Sequence, residues 1–205
     1  MSAPILYTNP MSRGRTARWM LEEVGTDYET VIVDFESKSA LDDINPMGKV
    51  PTLVHRSTVV TETAAICAYL ADAFAYAGLA PPLDSALRGD YYRWLFFAAG
   101  PLEAAATNRA LGVEVTPDRE GMVGYGTLGR TLDTLDAALT QSERLVGSAF
   151  TAADLYVGSH LAWGMRFGTI EPRPVFEAVV ERNAARPAAI RAAELDDALL
   201  PAQAG

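Results

Sequence analysis

Two domains of different class are predicted: a small mixed α/β sheet domain over residues 1–77 and an all-helical domain over 85–205, with a linker at 78–84. Three observations carry this. Up to residue 77, short apolar runs of strand length alternate with segments of helical periodicity, and from residue 85 onward the period is helical almost throughout. Between them, Gly78-Leu79-Ala80-Pro81-Pro82 cannot continue a helix.

Ile5-Leu6-Tyr7-Thr8 reads as a short strand ending at Asn9-Pro10. Ser12 precedes a segment with Ala17, Met20, Leu21 and Val24 at helical spacing, closed by Gly25. Tyr28 to Val33 alternates as a second strand, and residues 34–45 are polar and irregular. Thr52–Val54 and Val59–Thr61 flank Arg56-Ser57-Thr58 as a hairpin, and a helix follows from Glu62 with Ala65, Ile66, Tyr69 and Leu70 on one face. Strand, helix, strand, hairpin, helix is satisfied by a four-stranded mixed sheet of thioredoxin type. In the second domain, Arg88 to Ala106 is an aromatic-rich helix. Thr116-Pro117 is expected to open a helix whose stripe is Leu128, Leu132, Leu135 and Leu139, with four glycines that either break its first half or let another backbone approach closely. Thr151-Ala152-Ala153-Asp154 has the form of a capping box before the helix Leu155 to Met165. Val175 to Arg182 and a segment after Arg186-Pro187 complete the helical set.

The 205 residues suffice for a substantial core, and the net charge of −9 argues against a nucleic-acid partner. No run approaches the roughly 18 apolar residues of a membrane span, and residues 1–20 lack the apolar core of a signal peptide. The single cysteine, Cys67, excludes an internal disulfide and makes a reducing cytoplasm the default. His55 and His160 are too few and too isolated for a metal site, so no metal is expected.

Chemistry concentrates in Asn45-Pro46-Met47-Gly48-Lys49-Val50-Pro51-Thr52 and in Thr61-Glu62-Thr63-Ala64. A cis Val50–Pro51 bond would turn the main chain of Val50 outward, where an extended peptide can pair with it as one more strand. Glu62-Thr63 falls where the strand pattern becomes a helix pattern. The amides of a helix start suit a carboxylate and the Glu62 side chain suits an ammonium, so together they read the amino-acid end of a small peptide.

Val50-Pro51 followed by an acidic-plus-hydroxyl pair and Ala-Ala-Ile resembles the glutathione site of the glutathione transferase superfamily. Leu145-Val146-Gly147 before the Thr151–Asp154 box, and Ala185-Arg186-Pro187-Ala188 near the end, extend the likeness over nearly the full chain. The resemblance implies a cytosolic transferase that adds the glutathione thiolate to an apolar electrophile, and a homodimer. Glutathione would lie along Lys49, Val50 and Pro51, with Glu62, Thr63 and Arg13 around its charged ends. Met11, Trp94 and Phe97 would line the electrophile pocket.

A thiol of pKa about 8.5 is only a few per cent ionised at pH 7, so the protein must favour the thiolate. Two hydroxyls compete. Ser12, in the first strand-to-helix loop, resembles the serine of the theta- and zeta-like classes, and Tyr7 resembles the tyrosine of the alpha, mu and pi classes. Ser12 is preferred. The plain alternatives are an N-cap role for Ser12 and a core role for Tyr7. Arg13 and Arg15 keep open a zeta-like, glutathione-dependent isomerase acting on a maleyl-type diacid. A non-catalytic binding or assembly protein of the same fold is the remaining reading.

Overall fold

The computed structural model describes residues 3–37 and 39–200. Strands β1 (Ile5–Thr8), β2 (Glu29–Ile32), β3 (Thr52–His55) and β4 (Thr58–Val60) form one sheet in the order β2-β1-β3-β4. The β1/β2 pair is parallel; β1/β3 and β3/β4 are antiparallel. This is the mixed four-stranded sheet that the element order implied. Helix α1 (Gly14–Val24) makes the crossover between the parallel strands, and Gly25 ends it in the left-handed region with its N–H on the Leu21 carbonyl at 3.0 Å. Arg56 and Ser57 both have positive φ (51° and 63°), so a two-residue turn of type I′ shape joins β3 to β4.

Helix α2 (Thr63–Ala73) follows the hairpin. Leu6 and Leu53 of the sheet, Met20 and Leu21 of α1, and Ile66 and Leu70 of α2 are fully buried. Cys67 lies in this core, where burial pushes its thiol up to about 12; it behaves as a small apolar residue.

The first unit runs to Gly78 and takes in the chain again from Ala184, whereas the second spans Leu79–Asn183. The sequence expectation grouped 85–205 as one helical domain, and its last residues, 201–205, lie outside the described set. Helix α8, Pro187–Asp197 (the eighth in chain order), packs on α1. Arg18 Nε meets Asp196 Oδ1 at 2.8 Å in a buried pair, Arg15 meets Asp197 at 2.7 Å, Arg186 meets Glu23 at 2.6 Å and Arg191 meets Glu22 at 3.1 Å. Burial pushes the Asp196 carboxyl up, with Arg18 opposing. Helical periodicity marks a buried face but does not say which element covers it.

The second unit holds α3 (Leu87–Phe97), α4 (Glu103–Ala110), α5 (Leu128–Gln141), α6 (Ala152–Arg166) and most of α7 (Pro174–Ala184). The helix predicted over 88–106 is interrupted by a π segment at Ala98–Leu102. It contains Pro101, which can donate no ladder hydrogen bond, so the wider turn absorbs the defect. The helix expected from Thr116 is also corrected: Pro117–Met122 is a 3-10 segment, and α5 begins only at Leu128, where Thr127 Oγ1 accepts the Arg130 N–H at 3.1 Å. Leu132, Leu135 and Leu139 are then its buried stripe.

Candidate functional site

Strand register brings three chain segments to the C-terminal end of β1. Tyr7 is paired with Thr52, so β3 begins beside the end of β1. Leu53 is paired with Val60, so β4 ends beside the start of β3. The loop after β1, the Val50–Pro51 step and the segment entering α2 each leave the sheet at this end. The carboxyl ends of strands are where open α/β sheets hold ligands.

Val50–Pro51 is cis. Pro51, one residue outside the β1/β3 ladder, is buried, and Val50, two residues outside it, is half-buried. Asn45 fixes the approach: its Nδ2 donates to the Lys49 carbonyl at 2.9 Å and to Thr52 Oγ1 at 3.0 Å, while Thr52 Oγ1 donates back to the Lys49 carbonyl at 3.0 Å. Asn45 Oδ1 also accepts the Met47 N–H at 3.1 Å, an Asx turn that Asn45-Pro46 in the sequence could have signalled. The Lys49 side chain is exposed.

At the start of α2, Glu62 has φ 64° and ψ 119°, a sparsely populated conformation for a residue with a Cβ. Its exposed side chain caps nothing, and the first helical bond runs from the Ile66 N–H to the Glu62 carbonyl at 2.9 Å. The amides of Thr63, Ala64 and Ala65 precede that bond, forming the anion-attracting end of the helix. Thr63 is buried beside them.

The loop after β1 is tightly organised. Asn9 Nδ2 donates to the Val33 carbonyl at 2.9 Å, and Asn9 Oδ1 accepts the Met11 N–H at 2.9 Å. Ser12 Oγ is half-buried; it donates to the Asn9 carbonyl at 2.7 Å and accepts the Gly14 N–H at 2.9 Å. These two bonds make a local hydroxyl–backbone turn leading into α1, whose N-cap is Arg13. Gly14 has to be glycine, because a Cβ there would collide with Thr8 Oγ1 and stand 2.9 Å from Ser12 Oγ. Arg15 reaches the Pro10 carbonyl at 3.4 Å and Asp197 at 2.7 Å, so it ties the loop to α8. Arg13 and Met11 are exposed. Tyr7, half-buried, stands on the opposite face of the sheet from Leu6 and Thr8.

In the second unit, Trp94 is only 3% exposed, with its ring edge-on to Phe97 (centroids 5.3 Å apart) and the Arg93 guanidinium 4.5 Å from its centroid. Trp94 is thus packed within its own unit, whereas the sequence expectation put it at an electrophile pocket. Phe97 is half-buried, and Tyr92 and Phe96 are exposed. His160 Nδ1 lies 3.4 Å from Glu103 Oε2. Among the described residues, no group of three or more His, Cys, Asp or Glu is placed to hold a metal, and no helix is long and apolar enough to cross a membrane.

The geometry of the first unit agrees with what known proteins show. Residues 2–72 match the family described as "Glutathione S-transferase, N-terminal domain". Over 201 aligned residues the chain is 30% identical to glutathione S-transferase GstA of Escherichia coli O157:H7, covering 95% of this chain and 96% of that one. Among solved structures, a glutathione transferase from Methylococcus capsulatus str. Bath superposes with a TM-score of 0.79 at 29% identity, covering 96% of this chain and 100% of its own. A sphingomonad glutathione S-transferase complexed with glutathione gives a TM-score of 0.78 at 28% identity, over 94% and 98%. Full-length similarity at this level means that the chain belongs to the glutathione S-transferase family.

Proposed function

We propose that this protein binds glutathione along Val50 and adds its thiolate to an apolar electrophile, with Ser12 stabilising the sulfur anion. The observation that supports the reading is the register: β3, entered from Val50–Pro51, pairs with β1, which leads into the Ser12 loop, and with β4, which leads into α2. The Val50 main chain receives the tripeptide as an added strand. The Thr63–Ala65 amides take the γ-glutamyl carboxylate, and Glu62 takes its ammonium. Lys49 and Arg13, both exposed, supply positive charge toward the other carboxylate.

Lowering the thiol pKa by two units takes about 2.7 kcal/mol of preference for the thiolate. One hydrogen bond to a charged group supplies about 1.5–3 kcal/mol, and a helix N-terminus about 0.3–1 more. Ser12 combines both at the start of α1. Its proton must turn from the Asn9 carbonyl toward sulfur, and that carbonyl keeps the Ser12 N–H at 3.1 Å when it does. Nucleophilic attack then needs no separate base. Tyr7 is the weaker candidate, since it stands on the sheet face away from Thr8 and Gly14. The diacid isomerase reading loses one of its two arginines to the Arg15–Asp197 pair. Pairing of two copies, and residence in a reducing cytoplasm, complete the proposal.

Ser12→Ala tests it. The bound thiol pKa, read by thiolate absorbance, should rise by about one to two units while the glutathione Kd stays within about two-fold. An unchanged thiol pKa would transfer the role to Tyr7. Retention on glutathione-agarose, and turnover of a model aryl halide rather than a maleyl diacid, separate the transferase from a scaffold and from an isomerase.

A further inference from the structure

We infer that Thr8 is a positioning residue for the thiolate: its buried hydroxyl donates to Ser12 Oγ when Ser12 turns its own proton toward sulfur. The inference rests on the reading of Ser12 given above.

Thr8 is 0% exposed, and among the described residues its Oγ1 has no hydrogen-bond partner. A hydroxyl buried without a partner is costly, and native structures hold few of them. This one lies beside the proposed centre. Thr8 Oγ1 and Ser12 Oγ flank the same Gly14 Cα, and their distances to a Cβ built there keep the two oxygens within about 5 Å of each other. In the arrangement described, Ser12 Oγ already accepts the Gly14 N–H and spends its proton on the Asn9 carbonyl. A hydroxyl oxygen can accept two hydrogen bonds, so one lone pair remains for Thr8. Rotation of Ser12 between staggered wells, closing the gap to about 2.7–2.8 Å, makes the chain Thr8 O–H to Ser12 Oγ, and Ser12 O–H to sulfur. No covalent bond changes and no charge moves. Serial donation polarises the middle hydroxyl and strengthens its bond to the thiolate. The arrangement also accounts for Gly14, since any side chain there would push the two hydroxyls apart.

A purely structural role for Thr8 predicts that Thr8→Val disturbs stability alone. The relay predicts a split. Replacing an orphaned hydroxyl by a methyl of the same shape should raise the thermal midpoint by about 2–6 °C. At the same time, the bound thiol pKa should rise by about 0.5–1 unit, a change of roughly 3–10-fold in the ionisation equilibrium, with the acid limb of the kcat profile moving with it. The glutathione Kd should stay within about two-fold, and Thr8→Ser should restore the wild-type thiol pKa. In a Ser12→Ala background, Thr8→Val should add nothing further. Should Thr8→Val fail to fold, Thr8→Cys, similar in size but a weaker donor, should show an intermediate shift. A thiol pKa unmoved by Thr8→Val or Thr8→Cys, while Ser12→Ala does move it, overturns the relay and leaves Ser12 standing. If Ser12→Ala itself moves nothing, the parent reading fails and takes the relay with it.

Discussion

Two helix starts in this protein solve the same problem in opposite ways. At α6 the chain supplies its own partners: Asp154 Oδ2 accepts the Thr151 N–H at 2.9 Å and the Thr151 hydroxyl at 2.8 Å, and Asp154 Oδ1 accepts the Leu145 N–H at 2.9 Å. The next amide, Ala152 N–H, goes to the Leu79 carbonyl at 2.8 Å. At α2 the flanking residue caps nothing and is held at positive φ, a conformation that costs on the order of 1–3 kcal/mol. A helix end whose donors are consumed internally contributes to stability. One left open at a strained residue contributes nothing of that kind, and it is the end to which the proposal above assigns a ligand. Both starts belong to acidic and hydroxyl-bearing sequences, so residue type alone does not separate them.

The largest effect that would test this contrast is at α6. Asp154→Ala removes three charge-assisted hydrogen bonds and leaves buried amides unpaired, so it should destabilise by about 4 kcal/mol and lower the midpoint by roughly 8–16 °C. Glutathione affinity of the folded protein should stay within about two-fold, by calorimetry. A midpoint within 2 °C of wild type would show that α6 does not depend on its cap. At α2 the signs reverse. Glu62→Ala should raise the glutathione Kd about 10–100-fold with little change in midpoint. Glu62→Gly should weaken binding similarly yet gain about 1 kcal/mol of stability, because glycine takes positive φ without strain. A Glu62→Gly protein that binds glutathione as wild type does would remove the Glu62 carboxylate from the site.

What could be read from the sequence follows from how local each feature is. Ser12, Val50-Pro51 and Glu62-Thr63 sit at element junctions, where a few adjacent residue types decide backbone course, and they stand out without any tertiary information. The Thr151–Asp154 box is equally local. The order strand, helix, strand, hairpin, helix constrains the sheet because few topologies satisfy it. The partner of α8 could not be read, since its buried alanines fit any apolar groove. Arg56-Ser57 lacks the glycine or asparagine that usually marks a type I′ turn, so the turn was drawn one residue too long. Trp94 looked available because an aromatic helix was seen without the packing that covers it. The orphaned Thr8 hydroxyl is the extreme case: whether a threonine has a partner depends wholly on what surrounds it.

The smallest effect sharpens the contrast within the first unit itself. His55 is buried at the end of β3, its Nδ1 3.0 Å from the Tyr69 hydroxyl and its ring stacked on Phe74 at 5.3 Å. Burial, with Arg56 adding to it, holds the imidazole below its usual 6.5. A base whose folded pKa is depressed binds fewer protons folded than unfolded in the window from that lowered value up to 6.5. Stability therefore falls as pH drops below 6.5 and recovers above it. His55→Gln keeps an acceptor for Tyr69 but cannot titrate, so the difference between its midpoint and that of wild type should close as pH is lowered through this window. Tyr69 lies on α2, the helix whose open end is the proposed binding site. If the two roles are separable, glutathione affinity should not follow the difference in midpoint. A Kd that tracks it, and loses that dependence in His55→Gln, would mean that the open end of α2 is set by the packing of its far turns rather than by Glu62.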